Sequence, residues 1–313
     1  MKYGWPCISV LSVFLLLALS LAGCIDSPDK VGEVRTFIDE AGNTVEIAGT
    51  PRRLVSLAPS ITEMLFFLGL EDRIVGVDAA SDFPPAAETK EIVSSLGVLN
   101  TETLLMVEPD LVVMDRTLDM SGTYFKRLVD ADITTYQLYP HNVENVTTQL
   151  RVLSNITGVY SKTSDRIDTL EDRIRAVERS SETQTDRPTV LYVNHYDGTD
   201  NPWVGSRNTV SGDLIDRAGG EPLIEDSTGI YLQISMETVI LKDPDIIITS
   251  SSDRWWNGSK EAMMNDERLG SIRAVRNGDV YNINADLVER PGPRLVDGLE
   301  YIAGIIREYG GDG

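Results

Sequence analysis

Two stretches of the chain, 135 residues apart, repeat one another without a gap. Glu102-Thr103-Leu104-Leu105-Met106-Val107-Glu108-Pro109-Asp110-Leu111-Val112-Val113 aligns on Glu237-Thr238-Val239-Ile240-Leu241-Lys242-Asp243-Pro244-Asp245-Ile246-Ile247-Ile248. Four positions are identical, seven exchange like for like, and only Val107/Lys242 breaks the match. A solenoid repeats over a few tens of residues, so an offset this long implies two lobes of similar construction instead. Small molecules bind two-lobed proteins in the cleft between the halves.

The repeated unit has a physical reading. Asn100 and Ser235 stand two residues before the shared Glu, where a side-chain oxygen can cap a helix. The Glu then falls in the first turn, where the helix dipole favours it. Glu-Pro-Asp or Asp-Pro-Asp ends the helix, because the residue before proline is pushed out of the α region. The aliphatic runs that follow, Leu111 to Met114 and Ile246 to Thr249, read as short strands buried on both faces. Helix, Pro-Asp turn and buried parallel strand make half of an α/β lobe.

The remaining pattern predicts two α/β lobes with mostly parallel central sheets, joined by one long interdomain α-helix. Residues 35–141 form the N-terminal lobe, 142–183 the linker helix and 184–313 the C-terminal lobe. A hairpin around Ala41-Gly42-Asn43 opens the first lobe. Leu54-Val55-Ser56-Leu57 is a strand, followed by a helix from Ile61 to Gly69 capped by Ser60 or Thr62. Between Asn142 and Thr183, apolar residues recur at three and four, from Val143 to Val177, with no proline. That is one amphipathic helix, or two nearly collinear ones broken near Gly158. The stripe is too mixed for a coiled coil and reads as a strut between lobes.

Lys2, the apolar run Ile8 to Leu21 and then Leu21-Ala22-Gly23-Cys24 read as a lipoprotein signal peptide over 1–23. Cys24 would be lipidated and begin a tether over 24–34, anchoring the protein to the outer face of the cell membrane. Cys7 leaves with the signal, so no disulfide is available and stability must come from core burial. The formal charge of −21 becomes −22 without Lys2. A surface this acidic repels nucleic acid and anionic headgroups, which excludes both as ligands. Sequons at Asn145, Asn155 and Asn257 are compatible with export but arise often by chance.

Nothing in the chain points to catalysis: it has no Gly-x-Ser-x-Gly elbow, Walker loop or Gly-x-Gly-x-x-Gly. With only His141 and His195, a three-histidine zinc site is unavailable, and a carrier of free zinc or manganese is disfavoured. His195 follows a strand, where it could touch the metal of a ligand or serve simply as a hydrogen-bonded loop residue.

Taken together, the lipobox, the opening hairpin, Arg53-Leu54-Val55-Ser56-Leu57-Ala58-Pro59-Ser60, Ser81-Asp82-Phe83-Pro84-Pro85, the doubled unit, the long central helix and Arg290-Pro291-Gly292-Pro293-Arg294 carry a resemblance. Over residues 35–309 the chain resembles the substrate-binding lipoproteins of ABC importers for cobalamin, ferric siderophores and haem. The resemblance implies two Rossmann-like lobes on a single rigid helix, little hinge closure, a bound metal chelate and no cofactor of the protein's own. It also implies a monomer that hands its ligand to a permease dimer and its ATPase. The alternatives are a haem-binding surface lipoprotein and a structural surface lipoprotein.

Loops that leave strand C-termini should face the cleft, as ligand sites in open α/β sheets do. They nominate Ser60, Asp82, Phe83, Asp115, Arg116, Tyr196, Trp203, Arg254, Trp255, Trp256, Asp286, Arg290 and Arg294 as ligand-binding residues. The tryptophans could cover a flat ring by stacking, and the arginines could grip carboxylate or phosphate. Cobalamin binders of the resembling family place three aromatic residues in the first lobe. This chain has Ala80, Leu96 and Asp115 at those positions, whereas Asp286 and Arg290 match the expected acid and base. The same resemblance implies that Glu102 and Glu237 dock on the permease subunits.

Overall fold

The computed structural model describes residues 33–311 apart from 96, 120, 185, 200, 226–230 and 253–257. The expected signal peptide, Cys24, Leu96, Arg254, Trp255, Trp256 and the sequon at Asn257 therefore lie outside the described residues.

A hairpin of β1 (Val34–Ile38) and β2 (Thr44–Ala48) leads into the first lobe. Its strands and helices alternate: β3 (Leu54–Ser56), α1 (Pro59–Phe67), β4 (Ile74–Asp78), β5 (Ile92–Ser95), β6 (Val98–Leu99), α2 (Thr101–Met106), β7 (Leu111–Asp115), α3 (Thr123–Asp130) and β8 (Thr135–Leu138). The sheet order is β6-β5-β4-β3-β7-β8, parallel except for β6. The capping expectation for α1 is corrected. The helix begins at Pro59, whose fixed φ suits a first helical position, and Ala58 is its uncapped start. The Thr62 hydroxyl instead donates to Ser56 Oγ at 2.8 Å and lies 2.8 Å from Ser81 Oγ.

Two helices follow, α4 (Val143–Ile156) and α5 (Tyr160–Ser181). The break falls at Gly158, whose φ of +72° is left-handed, with Thr157 closing α4. The helices are not collinear. Arg151 Nη2 reaches Asp168 Oδ1 at 2.6 Å and its Nε reaches Glu171 Oε1 at 2.9 Å, so α5 folds back along α4. The 22 residues of α5 span about 33 Å at 1.5 Å per residue. Arg166 stacks over the Phe67 ring of the first lobe at 4.7 Å, while Glu178 pairs with Arg217 of the second. Thus α5 is the strut, and α4 completes the first lobe.

The second lobe comprises β9 (Thr189–His195), β10 (Trp203–Val204), α6 (Val210–Arg217), β11 (Glu221–Pro222), β12 (Leu232–Gln233), α7 (Met236–Lys242), β13 (Ile246–Ser251), α8 (Ser259–Asn265), α9 (Arg273–Asn277), β14 (Val280–Asn284) and α10 (Leu295–Gly311). Its sheet runs β12-β10-β9-β13-β14, with β11 also parallel to β9. Strands β9, β13 and β14 are parallel; β10 and β12 are antiparallel to their neighbours.

The repeat holds at atomic detail. Asn100 Oδ1 accepts from Thr103 N, and Ser235 Oγ accepts from Thr238 N, so both expected caps form. Glu108 and Asp243 share a left-handed backbone, with φ of 41° and 43°. Asp110 accepts from the amides of Arg52 and Arg53 at 2.6 and 2.9 Å; Asp245 accepts from Thr189 N at 2.9 Å and its hydroxyl at 2.7 Å. In each lobe the Pro-Asp carboxylate therefore clasps the start of one parallel strand to its neighbour, β7 to β3 and β13 to β9.

One apolar core runs through both lobes. Leu54, Ile61, Leu111 and Val113 from the first pack continuously with Val146, Leu150, Ile167 and Leu170 of the strut region. The same core takes in Val190, Ile246, Leu299 and Ile302 from the second lobe. Fully burying each such side chain stabilises the fold by about 1.5–3 kcal/mol. A hinge motion would have to open this core.

Candidate functional site

The C-terminal ends of both sheets face a cleft of about 320 Å³. Its first-lobe wall is Ala58, Pro59 and Ser60 where β3 enters α1, then Asp115 and Thr117 after β7, then Tyr139, Pro140 and His141 after β8. Asn208, Val210, Glu289, Arg290 and Pro291 form the opposite wall. Through Pro59 the cleft adjoins a mostly apolar pocket of about 390 Å³ lined by Leu57, Ala80, Leu99, Met114 and Tyr124, with Asp78 and Ser94 bonded to one another at 2.6 Å. Both volumes fall within the usual range of small-molecule sites.

The nominated residues divide into three groups. Ser60, Asp115 and Arg290 line the cleft directly. Asp115 is buried and accepts from the Thr117 amide and hydroxyl at 2.8 and 2.7 Å. Burial raises its carboxyl above the ordinary range, against those bonds.

A second group joins the lobes. Arg290 donates to Asp82 Oδ1 at 2.5 Å and pairs with Asp286 at 2.9 Å. Arg294 grips Glu63 through two bonds of 2.8 and 2.6 Å and lies over the Phe83 ring at 3.8 Å. Asp82, Phe83, Asp286 and Arg294 thus form the interlobe seam, with Glu63 a member that the sequence reading missed. Gly292 permits the close approach, since a Cβ there would stand 3.2 Å from Glu63 Oε2.

The third group points elsewhere or sits at the rim. Tyr196 is 2% exposed within the second lobe's own apolar cluster, and its hydroxyl meets Asp266 and Arg268; it does not line the cleft. Arg116 donates to Glu40 O at 2.9 Å and stacks over Tyr139 at 4.9 Å, backing the wall rather than reaching across. Trp203 pairs with His195 at the C-terminal end of β9 and is 43% exposed, which places it on the second-lobe rim.

Other cleft features had no clear signal in the sequence. The Glu289 carboxylate accepts from Tyr192 Oη, Asn194 Nδ2 and Ser250 Oγ at 2.6, 2.7 and 2.9 Å, all on one oxygen. Burial raises its carboxyl above the ordinary range. Tyr139 and His141 stack at 4.4 Å. Among the described residues no group of three or more His, Cys, Asp or Glu side chains converges to hold a metal ion. No described helix is long and apolar enough to cross a membrane.

Both repeat glutamates are exposed in the first turns of α2 and α7. Each precedes an exposed apolar pair, Leu105-Met106 in one lobe and Ile240-Leu241 in the other. Positions three and four residues on share the helix face of the glutamate, so each lobe offers the same acidic and apolar surface.

Residues 54–287 match the family model described as periplasmic binding protein. An uncharacterized ABC transporter substrate-binding lipoprotein of Bacillus subtilis is 27% identical over 304 residues, covering 93% of this chain and 94% of the relative. A cobalamin-binding protein of Halobacterium salinarum is 27% identical over 272 residues, covering 85% and 72%. The periplasmic haem-binding protein of Roseiflexus has the same fold, with a TM-score of 0.71 at 23% identity over 83% of this chain and 99% of that one.

Proposed function

The chain belongs to the periplasmic binding protein family, and from that premise we propose that it is the extracytoplasmic substrate-binding lipoprotein of an ABC importer, capturing a metal chelate between its lobes. The observation that carries this reading is the cleft itself: both sheets end on it, and one apolar core joins the lobes that form its walls. Such a site selects by shape and by a few polar groups, here Ser60, Asp115 and Arg290. Trp203 forms part of the second-lobe rim, and the sequence nominates Trp255 and Trp256 as further ligand-binding residues. The cobalamin-binding relative supports a corrinoid as the first ligand to test. Cys24 supplies the lipid anchor, and Glu102 and Glu237 dock the loaded protein on the two permease subunits.

The purified protein should be titrated with cobalamin, ferric haem and ferric siderophores while tryptophan fluorescence is followed. Saturable quenching by one class is expected; a folded protein that responds to none of them contradicts the chelate reading. Cys24→Ser should move the protein from membranes to the soluble exported fraction. Glu102→Arg with Glu237→Arg should abolish uptake through like-charge repulsion while leaving ligand affinity unchanged.

A further inference from the structure

We propose that Glu289 meets the cargo as an un-ionised carboxylic acid whose Oε2 donates to an uncharged carbonyl, so that the captured chelate is one that presents amide groups rather than carboxylates. This deepens the binding-protein reading above and rests on it. Glu289 lines the cleft in the segment between β14 and α10. Its Oε1 takes all three donors, Tyr192 Oη and Asn194 Nδ2 from β9 and Ser250 Oγ from β13. No described residue donates to Oε2, and that atom is not sealed in the interior. The two oxygens of a carboxyl diverge from one carbon. With Oε1 turned to the sheet, Oε2 is the atom left for the cleft.

A carboxylic acid suits this arrangement better than its anion. Its carbonyl oxygen accepts the three bonds, and its hydroxyl becomes the one donor at Oε2. Among the described arginines nearby, Arg290 pairs with Asp82 and Asp286, and Arg294 with Glu63 and Asp286. Arg116 donates to Glu40 O and stands beside Asp115. The charge that acts on Glu289 is that of Asp286, which has like sign, and burial adds to it in holding the proton on. Tyr192 and Tyr231 on the sheet side are kept protonated by burial. The remaining titratable groups facing Glu289 are Asp115, Tyr139 and His141 across the cleft and Arg290 beside it. A carboxylate on the cargo would find these arginines already engaged. An amide carbonyl accepts from Oε2 without bringing any charge into the site.

Cyanocobalamin and a peptide-based ferric trihydroxamate carry such carbonyls, whereas ferric haem presents carboxylates. Their dissociation constants should be measured at successive pH values above 4.5, the ordinary carboxyl value. One of the two amide-bearing chelates should bind more tightly than haem. Its affinity should fall by up to about tenfold per pH unit as the acid ionises above its raised value. Glu289→Gln offers Nε2 as the donor and cannot ionise, so it should hold its affinity over the same range. An equally steep profile in Glu289→Gln would place the titration on Asp115 or His141 and overturn the proposal. Wild-type affinity that ignores pH, loss of binding in folded Glu289→Gln, or tighter capture of ferric haem would each do the same while leaving the binding-protein reading standing. Failure of every chelate to bind the folded protein would overturn both.

Discussion

Removing the Asp110 carboxylate would leave the Arg52 and Arg53 amides without their partner, but both sit near solvent and can turn to water. Asp245 is 9% exposed and holds Arg273 and the Tyr309 hydroxyl as well as Thr189. Asp110→Ala should therefore cost about 1 kcal/mol and Asp245→Ala about 3 kcal/mol in urea unfolding. Equal losses would show that the two clasps do not differ by burial. Glu289 gives a pH-dependent counterpart. Its raised pKa means that the folded protein keeps a proton that the unfolded chain releases. The stability from this group is present below the ordinary value of 4.5 and is lost as pH rises through the raised folded value. Glu289→Gln keeps an oxygen for the three donors and cannot ionise. Its stability relative to wild type should rise as pH increases above the ordinary value of 4.5, and a pH-independent difference would contradict the shift.

At the scale of elements, the corner between α4 and α5 depends on one residue that can hold a left-handed backbone. Gly158→Ala would strain that backbone and press its Cβ to 3.3 Å from the Thr50 side chain. A loss of about 1–2 kcal/mol is expected, and a neutral effect would mean the corner relaxes freely. The break was legible in the sequence because glycine marks it. The reversal was not, since it is set by Arg151 meeting residues 17 and 20 positions away. The caps at Asn100 and Ser235 were legible for the opposite reason, as a cap acts within three residues. The seam shows the same limit. Arg290 and Asp82 lie 208 residues apart and Arg294 and Glu63 lie 231 apart. Loop position identified three of those four residues, but not that they would pair with one another. Tyr196 failed as a cleft residue because a strand end says nothing about which way its side chain turns.

For the molecule as a whole, the continuous core and the ionic seam couple the lobes. Heat or urea should unfold them in one transition, with fluorescence and far-UV circular dichroism coincident. Two separated transitions would show that the lobes fold independently. Arg294→Ala leaves Glu63, 3% exposed at its side chain, without its cation, and should lower stability by about 3–5 kcal/mol. Glu63→Gln with Arg294→Met, which removes both charges, should recover much of that loss.

The core shared by the lobes also bears on traffic at the proposed transporter. A carrier that closes around its cargo advertises its state by its shape, and empty copies are ignored. In the docking role proposed for them, Glu102 and Glu237 sit on lobes joined by one apolar core, which resists a large change in their separation. Empty and loaded copies should therefore queue for the same transporter with similar affinity. An excess of empty protein should slow uptake as a competitive inhibitor does, and the cell's setting of carrier number against available chelate becomes part of the import rate.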